Sequence, residues 1–209
     1  VNELLLPAPV LILSEEMNLD LRLRILLMEL GYPAPLIHST PYLDDALEIY
    51  RLHLPNIVLV DLNFTQVPLH DLIRSLKAYH PYVVIILLAP KGQTEQIFRG
   101  IQSGAYGYFF IEQTDREILQ QIRTILRGGA TLHGELAQYI LNTQTQSQTQ
   151  QFINHFKESP SQLFSDIELE ILSLLANQLN TREIAHKLGI PLYSVEGRIK
   201  SIYRHLSHK

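Results

Sequence analysis

The run IVLVDLNF, residues 57–64, decides the fold. Its first four positions are all aliphatic, with no polar alternation, and the run halts at Asp61. A strand written this way is buried on both faces, as in a parallel sheet covered by helices. VLILSEEMN, residues 10–18, halts in the same manner at Ser14, Glu15 and Glu16. PLIHST (35–40), VVIILL (83–88) and GYFFI (107–111) are further runs of this kind.

The segments between these runs have helical periodicity. NLDLRLRILLMEL stops at Gly31, PYLDDALEIYRLH starts at Pro41, VPLHDLIRSLKAYH stops before Pro81, and QTEQIFRGIQSG stops at Gly104. DREILQQIRTILRGG follows Thr114, which with Glu117 has the spacing of a capping box. Alternation of this sort predicts a doubly wound, flavodoxin-like α/β domain, a five-stranded parallel sheet with helices on both faces. Ligands of such sheets sit beyond the carboxyl ends of the strands, which would gather Ser14, Glu15, Glu16 and Asp61 into one crevice.

Beyond about residue 128 the pattern changes. LHGELAQYIL reads as one more helix, and TQTQSQTQQ is a polar low-complexity tract unable to bury enough apolar surface to pack. From Ser165 three helical patterns follow: DIELEILSLLANQ with a Ser165/Glu168 capping box, TREIAHKLG ending at Gly189, and PLYSVEGRIKSIYRHL with an apolar stripe at Val195, Ile199, Ile202 and Leu206. The last two form a helix-turn-helix. The expected layout is an α/β domain over 1–128, a partly helical linker over 129–163 and a small all-α domain over 164–209.

Composition limits the function classes. The 209 residues are 46% hydrophobic and carry a net charge of −4, ordinary for a globular chain and unsuited to coating nucleic acid through bulk charge. Without cysteine there are no disulfides, thiolate metal sites or cysteine nucleophiles, which suits the cytoplasm. The apolar start VNELLLPAPVLIL has no basic leader and falls far short of the ~20 residues that span a bilayer, so neither targeting nor a membrane partner is expected. His205 and His208 stand three apart but lack a further ligand at a suggestive spacing, and no metal site is expected.

VDLN around Asp61, GAYGYFF (104–110), GGATLHGELAQ, NTREIAHKLGI and SVEGRIKSIYRHL together carry a resemblance that covers nearly the full chain. Residues 10–128 resemble a response-regulator receiver domain and 164–206 a LuxR-type helix-turn-helix, the combination of the NarL/FixJ family. The resemblance implies that Asp61 stands where that family's phosphoacceptor stands. It also implies an acidic pair after the first strand, a hydroxyl after the fourth and a lysine after the fifth, which would hold Mg²⁺ and stabilise the transferring group. In this chain those positions carry Ser14 and Glu15, Ala89, and Ile111. Ala89 donates no hydrogen bond and Ile111 carries no charge. Glu15 and Asp61, with Glu16 nearby, remain for a cation, but the missing carboxylate at 14 and the longer glutamate arm weaken octahedral coordination. No cofactor is expected. Tyr108 matches the switch aromatic of the fifth strand.

The helix-turn-helix resemblance implies a last helix entering the DNA major groove. Ser194, Glu196, Gly197, Arg198, Lys200 and Arg204 are its expected outward positions, with Arg182 and Lys187 on the preceding helix. Glu196 stands where the family usually has a lysine, and Gly197 costs about 1 kcal/mol of helix stability relative to alanine. Residues 160–209 carry six basic and five acidic side chains, a net of +1, so useful affinity needs a dimer. The expectation is a non-enzymatic, DNA-binding regulator of transcription that acts as a homodimer, independently of aspartyl phosphorylation, with another input such as a protein partner. A protein-binding adaptor without DNA affinity is the alternative, and a conventional phosphorylated regulator the third reading.

Overall fold

The computed structural model describes residues 8–143 and 163–207. Most of the Gln/Thr tract, and His208, lie outside them. Five parallel strands, β1 (Val10–Leu13), β2 (Ile37–Thr40), β3 (Ile57–Asp61), β4 (Val84–Ala89) and β5 (Gly107–Phe110), pair in the order β2-β1-β3-β4-β5. The chain therefore reverses its direction of winding between β1 and β3, and the carboxyl ends of these two strands open on the same crevice. The all-aliphatic run of β3 has the physical cause expected of it: all five of its residues are buried.

Helices α1 (Met17–Glu29) and α5 (Asp115–Leu126) cover one face of the sheet, where Val10, Ile12, Ile57, Leu59, Ile86, Leu88 and Phe109 pack against Leu23, Leu27, Ile118 and Ile122. Helices α2 (Leu43–His53), α3 (Leu69–Tyr79) and α4 (Thr94–Gln102) cover the other. The Thr114–Glu117 capping box forms at the start of α5, with the Thr114 N–H donating to the Glu117 carboxylate at 2.8 Å. From α1, the Arg22 guanidinium donates to the carbonyls of Ile111 and Gln113, both at 2.5 Å, and pairs with Asp115 at 2.7 Å, tying down the turn after β5.

Two boundaries differ from the sequence reading. Residues 35 and 36 belong to a single 3-10 turn, Ala34–Leu36, so β2 starts at Ile37. Pro41 does not open α2: the Thr40 hydroxyl accepts from the Tyr42 N–H, and the helix starts at Leu43.

After α5 the chain turns at Gly128 (φ 83°) and runs extended to the helical residues 134–143 (α6). Helices α7 (Asp166–Ala176), α8 (Thr181–Leu188) and α9 (Leu192–Ser207) complete the fold. Ser165 caps α7 through its box with Glu168, whose carboxylate is 2% exposed and accepts from both the Ser165 N–H and hydroxyl at 2.8 Å. Asn180 and Glu183 form a third box at the start of α8, one that the sequence reading missed although an Asn followed three residues later by Glu was there to find. Gly189, at φ 63°, ends α8 and makes the tight turn into α9. Val195, Ile199, Ile202 and Leu206 are fully or almost fully buried, as their spacing predicts.

The helical domain is docked on the receiver-like domain. A single apolar cluster runs from Leu87, Tyr108 and Phe110 through Leu136, Ala137 and Ile140 of α6 to Leu172, Leu175 and Ile199, and α4 packs against α9.

Candidate functional site

At the carboxyl end of β3, Asp61 is 1% exposed and each of its oxygens accepts one hydrogen bond. The Ser14 hydroxyl donates to one at 2.9 Å, and the Asn63 N–H donates to the other at 2.9 Å. Ser14 in turn accepts from the Glu16 N–H at 3.1 Å, which fixes its rotamer. Glu15 and Glu16 are exposed, and neither makes a hydrogen bond to Asp61 through its side chain. Ala89 ends β4 fully buried, and Ile111 follows β5 with its carbonyl held by Arg22. Among the described residues no three His, Cys, Asp or Glu side chains are grouped to hold a metal ion. A divalent cation of the kind receivers use does not fit this donor set: Asp61 is its one buried carboxylate, and the neutral Ser14 hydroxyl stands against it in place of a second.

Tyr108 is fully buried and its hydroxyl is engaged by the strap that follows α5. His133 contributes both its backbone N–H and its Nδ1 to that hydroxyl, each at 3.0 Å, and its ring packs on Tyr108 and Phe110 with centroids 5.3 and 4.8 Å away. Gln113 accepts the Phe110 N–H through its Oε1, so its amide nitrogen faces His133 Nε2 at 3.2 Å, and the Gln121 side-chain amide lies 3.3 Å from the same atom. The two ring nitrogens are thus both in polar contact, Nδ1 with Tyr108 and Nε2 with the two glutamines. Burial, with the Lys91 charge adding to it and Glu117 opposing it, brings His133 down from 6.5 to about 4. Sequence reading assigned His133 no role, because its partners lie 12 to 25 positions away.

The strap is held from the other side by α9. Tyr203, 4% exposed, donates its hydroxyl to the Thr131 carbonyl at 2.6 Å, and Lys200 places its amine 5.1 Å from the centroid of the Tyr106 ring. The Glu196 side chain lies so close to Gly129 that a Cβ there would be 3.1 Å from its carboxylate and 3.2 Å from its Cβ. Burial raises the Glu196 carboxyl, and Arg127 partly offsets this. Glu196, Lys200 and Tyr203 are thus one face of α9, at i, i+4 and i+7, turned towards the strap. This corrects the expected outward placement of Lys200 beside Arg198: two positions apart, the two project to opposite sides of the helix. Gly197, Arg198 and Arg204 are exposed, as are Arg182 and Lys187 on α8, and Ser194 is partly covered. Tyr203→Phe removes one hydrogen bond from the part-buried Thr131 carbonyl and is expected to cost about 1 kcal/mol, read from the denaturant midpoint of the full chain.

The chain resembles NarL/FixJ-type response regulators in both of its parts, a receiver fold followed by a LuxR-type helical domain. Among curated proteins it is 28% identical over 176 residues, 79% of this chain and 77% of the relative, to the oxygen regulatory protein NreC of Staphylococcus carnosus. A LuxR-family two-component response regulator from Aurantimonas sp. SI85-9A1 superposes with a TM-score of 0.57 over 66% of this chain and 98% of its own, at 21% identity. The RcsB response regulator of Salmonella typhimurium, described for conformational dynamism in DNA interaction, superposes with a TM-score of 0.56 over 97% of this chain and 93% of its own, at 14% identity. At these identities the structural likenesses show the fold. No protein-family model matches the chain. Among the described residues no helix is long and apolar enough to cross a membrane.

Proposed function

We propose that this chain is a cytoplasmic, homodimeric, DNA-binding regulator of transcription, without enzymatic activity, whose receiver domain takes an input other than aspartyl phosphorylation. The DNA-binding half rests on the capped helix-turn-helix of α8 and α9, with Arg198 and Arg204 on the open side of α9 and Arg182 and Lys187 on α8. RcsB, similar over almost the whole chain, is described by its interaction with DNA. The input half is carried by one observation above all: the side chain that meets the buried Asp61 carboxylate is the neutral Ser14 hydroxyl, not a second carboxylate. A phosphoryl acceptor relies on a cation held by clustered carboxylates, and among the described residues no such group of three ligands forms.

In the docked arrangement Glu196 and Lys200 face the strap, so full engagement of a major groove requires α9 to leave it. Docking and DNA binding then compete for one helix, and any ligand that favours the undocked form raises DNA affinity by the same factor by which DNA favours that ligand.

Selection of genomic fragments on the full chain at low salt tests the DNA half. Enrichment of one sequence class is expected, with Arg198→Ala weakening the selected site by about 1–3 kcal/mol if Arg198 reads a base edge. If no sequence enriches even where electrostatic attraction is strongest, the protein-binding adaptor is the better reading. For the input half, exposure to a small-molecule phosphodonor with Mg²⁺ is expected to leave the intact mass unchanged. A stable adduct that disappears in Asp61→Ala would overturn that half alone.

A further inference from the structure

A cavity of about 500 Å³ lies between α3 and α4, lined by His70, Arg74, Lys77, Arg99, Gln102 and Ser103. Three fixed cations and one histidine converge on it in a chain of net charge −4. Their counter-charges do not match them. Arg99 pairs with Glu95 at 2.6 Å, both largely exposed, and His70 stands 3.3 Å from Asp71. Among the described residues Arg74 and Lys77 make no ion pair and no hydrogen bond. Lys77 is half-buried, and its side chain is laid against Gly104, where a Cβ would come within 3.0 Å of its Cε and 3.1 Å of its amine. Gly104, at φ 107°, supplies both the turn after α4 and the space for that amine.

Lys77 and Arg99 stand in the last turns of their helices, where a cation complements the helix dipole. Arg74 and His70, one and two turns earlier in α3, have no such explanation, and they extend the positive lining along the groove. The lining contains no aromatic ring for a base to stack on besides the His70 imidazole, whereas guanidinium and ammonium groups with a serine and an amide are donors for phosphate oxygens. The volume lies within the ~300–1,000 Å³ of small-molecule sites.

We propose that the α3–α4 groove binds a compact polyphosphate, either inorganic pyrophosphate or the polyphosphate tail of a nucleotide, through Arg74, Lys77 and Arg99. The occupant bridges α3 to α4, and α4 also packs against α9, so the site adjoins the docked helical domain. The binding itself does not rest on the regulator reading above.

Titration calorimetry of the full chain at low ionic strength, with pyrophosphate and separately with ATP, both free of divalent cation, tests the site. Saturable binding of at least one probe is expected. Arg74→Ala, at an exposed position, and Lys77→Ala, at a half-buried one, are each expected to weaken it about tenfold, with the melting temperature of each variant checked alongside. Lys91→Ala, which removes an exposed cation elsewhere, should leave it unchanged. Pyrophosphate as tight as ATP identifies the bare phosphates as the ligand; ATP much tighter identifies a nucleotide; either supports the site. Heats that never saturate, or an equal loss in Lys91→Ala, would mean bulk charge and overturn it. Competition by duplex DNA, lost with the same two variants, would also overturn it by making the groove part of a DNA surface. A chain that binds pyrophosphate yet enriches no DNA keeps the site and loses only the regulator reading.

Discussion

Lowering the pH from neutrality towards 4 is expected to release the strap from the receiver-like domain. Docked, the His133 ring packs on Tyr108 and Phe110 beneath the side chains of Gln113 and Gln121, and its removal from water favours the neutral form. Burial lowers its pKa from 6.5 to about 4. The sign follows from that direction: above 6.5 the ring is neutral whether the strap is docked or free, and the contribution to stability is complete. As the pH falls below 6.5 the free strap takes up a proton that the docked strap refuses, and the contribution is lost by about pH 4. The loss amounts to roughly 3 kcal/mol if His133 acts alone. The groups facing the ring are Glu117, Lys91 and the Tyr108 hydroxyl, with Glu135 acting on the tyrosine. Denaturant titrations between neutrality and pH 4 measure the slope. His133→Gln, which cannot take up a proton, should flatten it; an unchanged slope in that variant would place the titrating group elsewhere.

Gly134→Ala is expected to push the helical domain off its seat. A Cβ at this position would lie 2.6 Å from the Leu175 carbonyl oxygen and 2.8 Å from the Gln178 amide nitrogen, at the end of α7. The carbonyl is backbone, and it already accepts the Gln178 N–H at 2.9 Å, so no rotamer change relieves the contact. Overpacking of this kind costs about 1–3 kcal/mol. In an isolated helix the same substitution would add up to about 1 kcal/mol of stability, so the two accounts differ in sign. A lower denaturant midpoint would match the docked arrangement. A higher midpoint would mean that α6 and α7 do not meet in solution.

The sheet was legible because buried parallel strands are written in a narrow alphabet, which β1 follows throughout and β3 follows up to Asp61. The capping boxes at Thr114 and Ser165 were legible because their physics is local. The strand-end pocket was legible by substitution: a serine, an alanine and an isoleucine stand where the resembling family has charged or hydroxyl groups. What the sequence could not convey is that Ser14 turns its hydroxyl onto Asp61, since nothing in a linear pattern links positions 47 apart. Lys200 went astray for a different reason. Helix α9 is covered on two sides, by its own domain through Val195, Ile199, Ile202 and Leu206 and by the strap at Glu196, Lys200 and Tyr203. The second contact is made by polar and aromatic side chains, which hydrophobic periodicity counts as solvent-facing.

The apolar cluster that joins the sheet to the output helices also governs how the molecule comes apart. With Leu136, Ala137 and Ile140 fully buried between the two halves, neither half can unfold without exposing surface on the other. Heating should therefore melt the chain in one cooperative transition. A fragment cut after residue 128 would leave Tyr108 and Phe110 facing water at an open sheet edge, a surface inclined to self-association. The output helices act here as a lid on the receiver's own core.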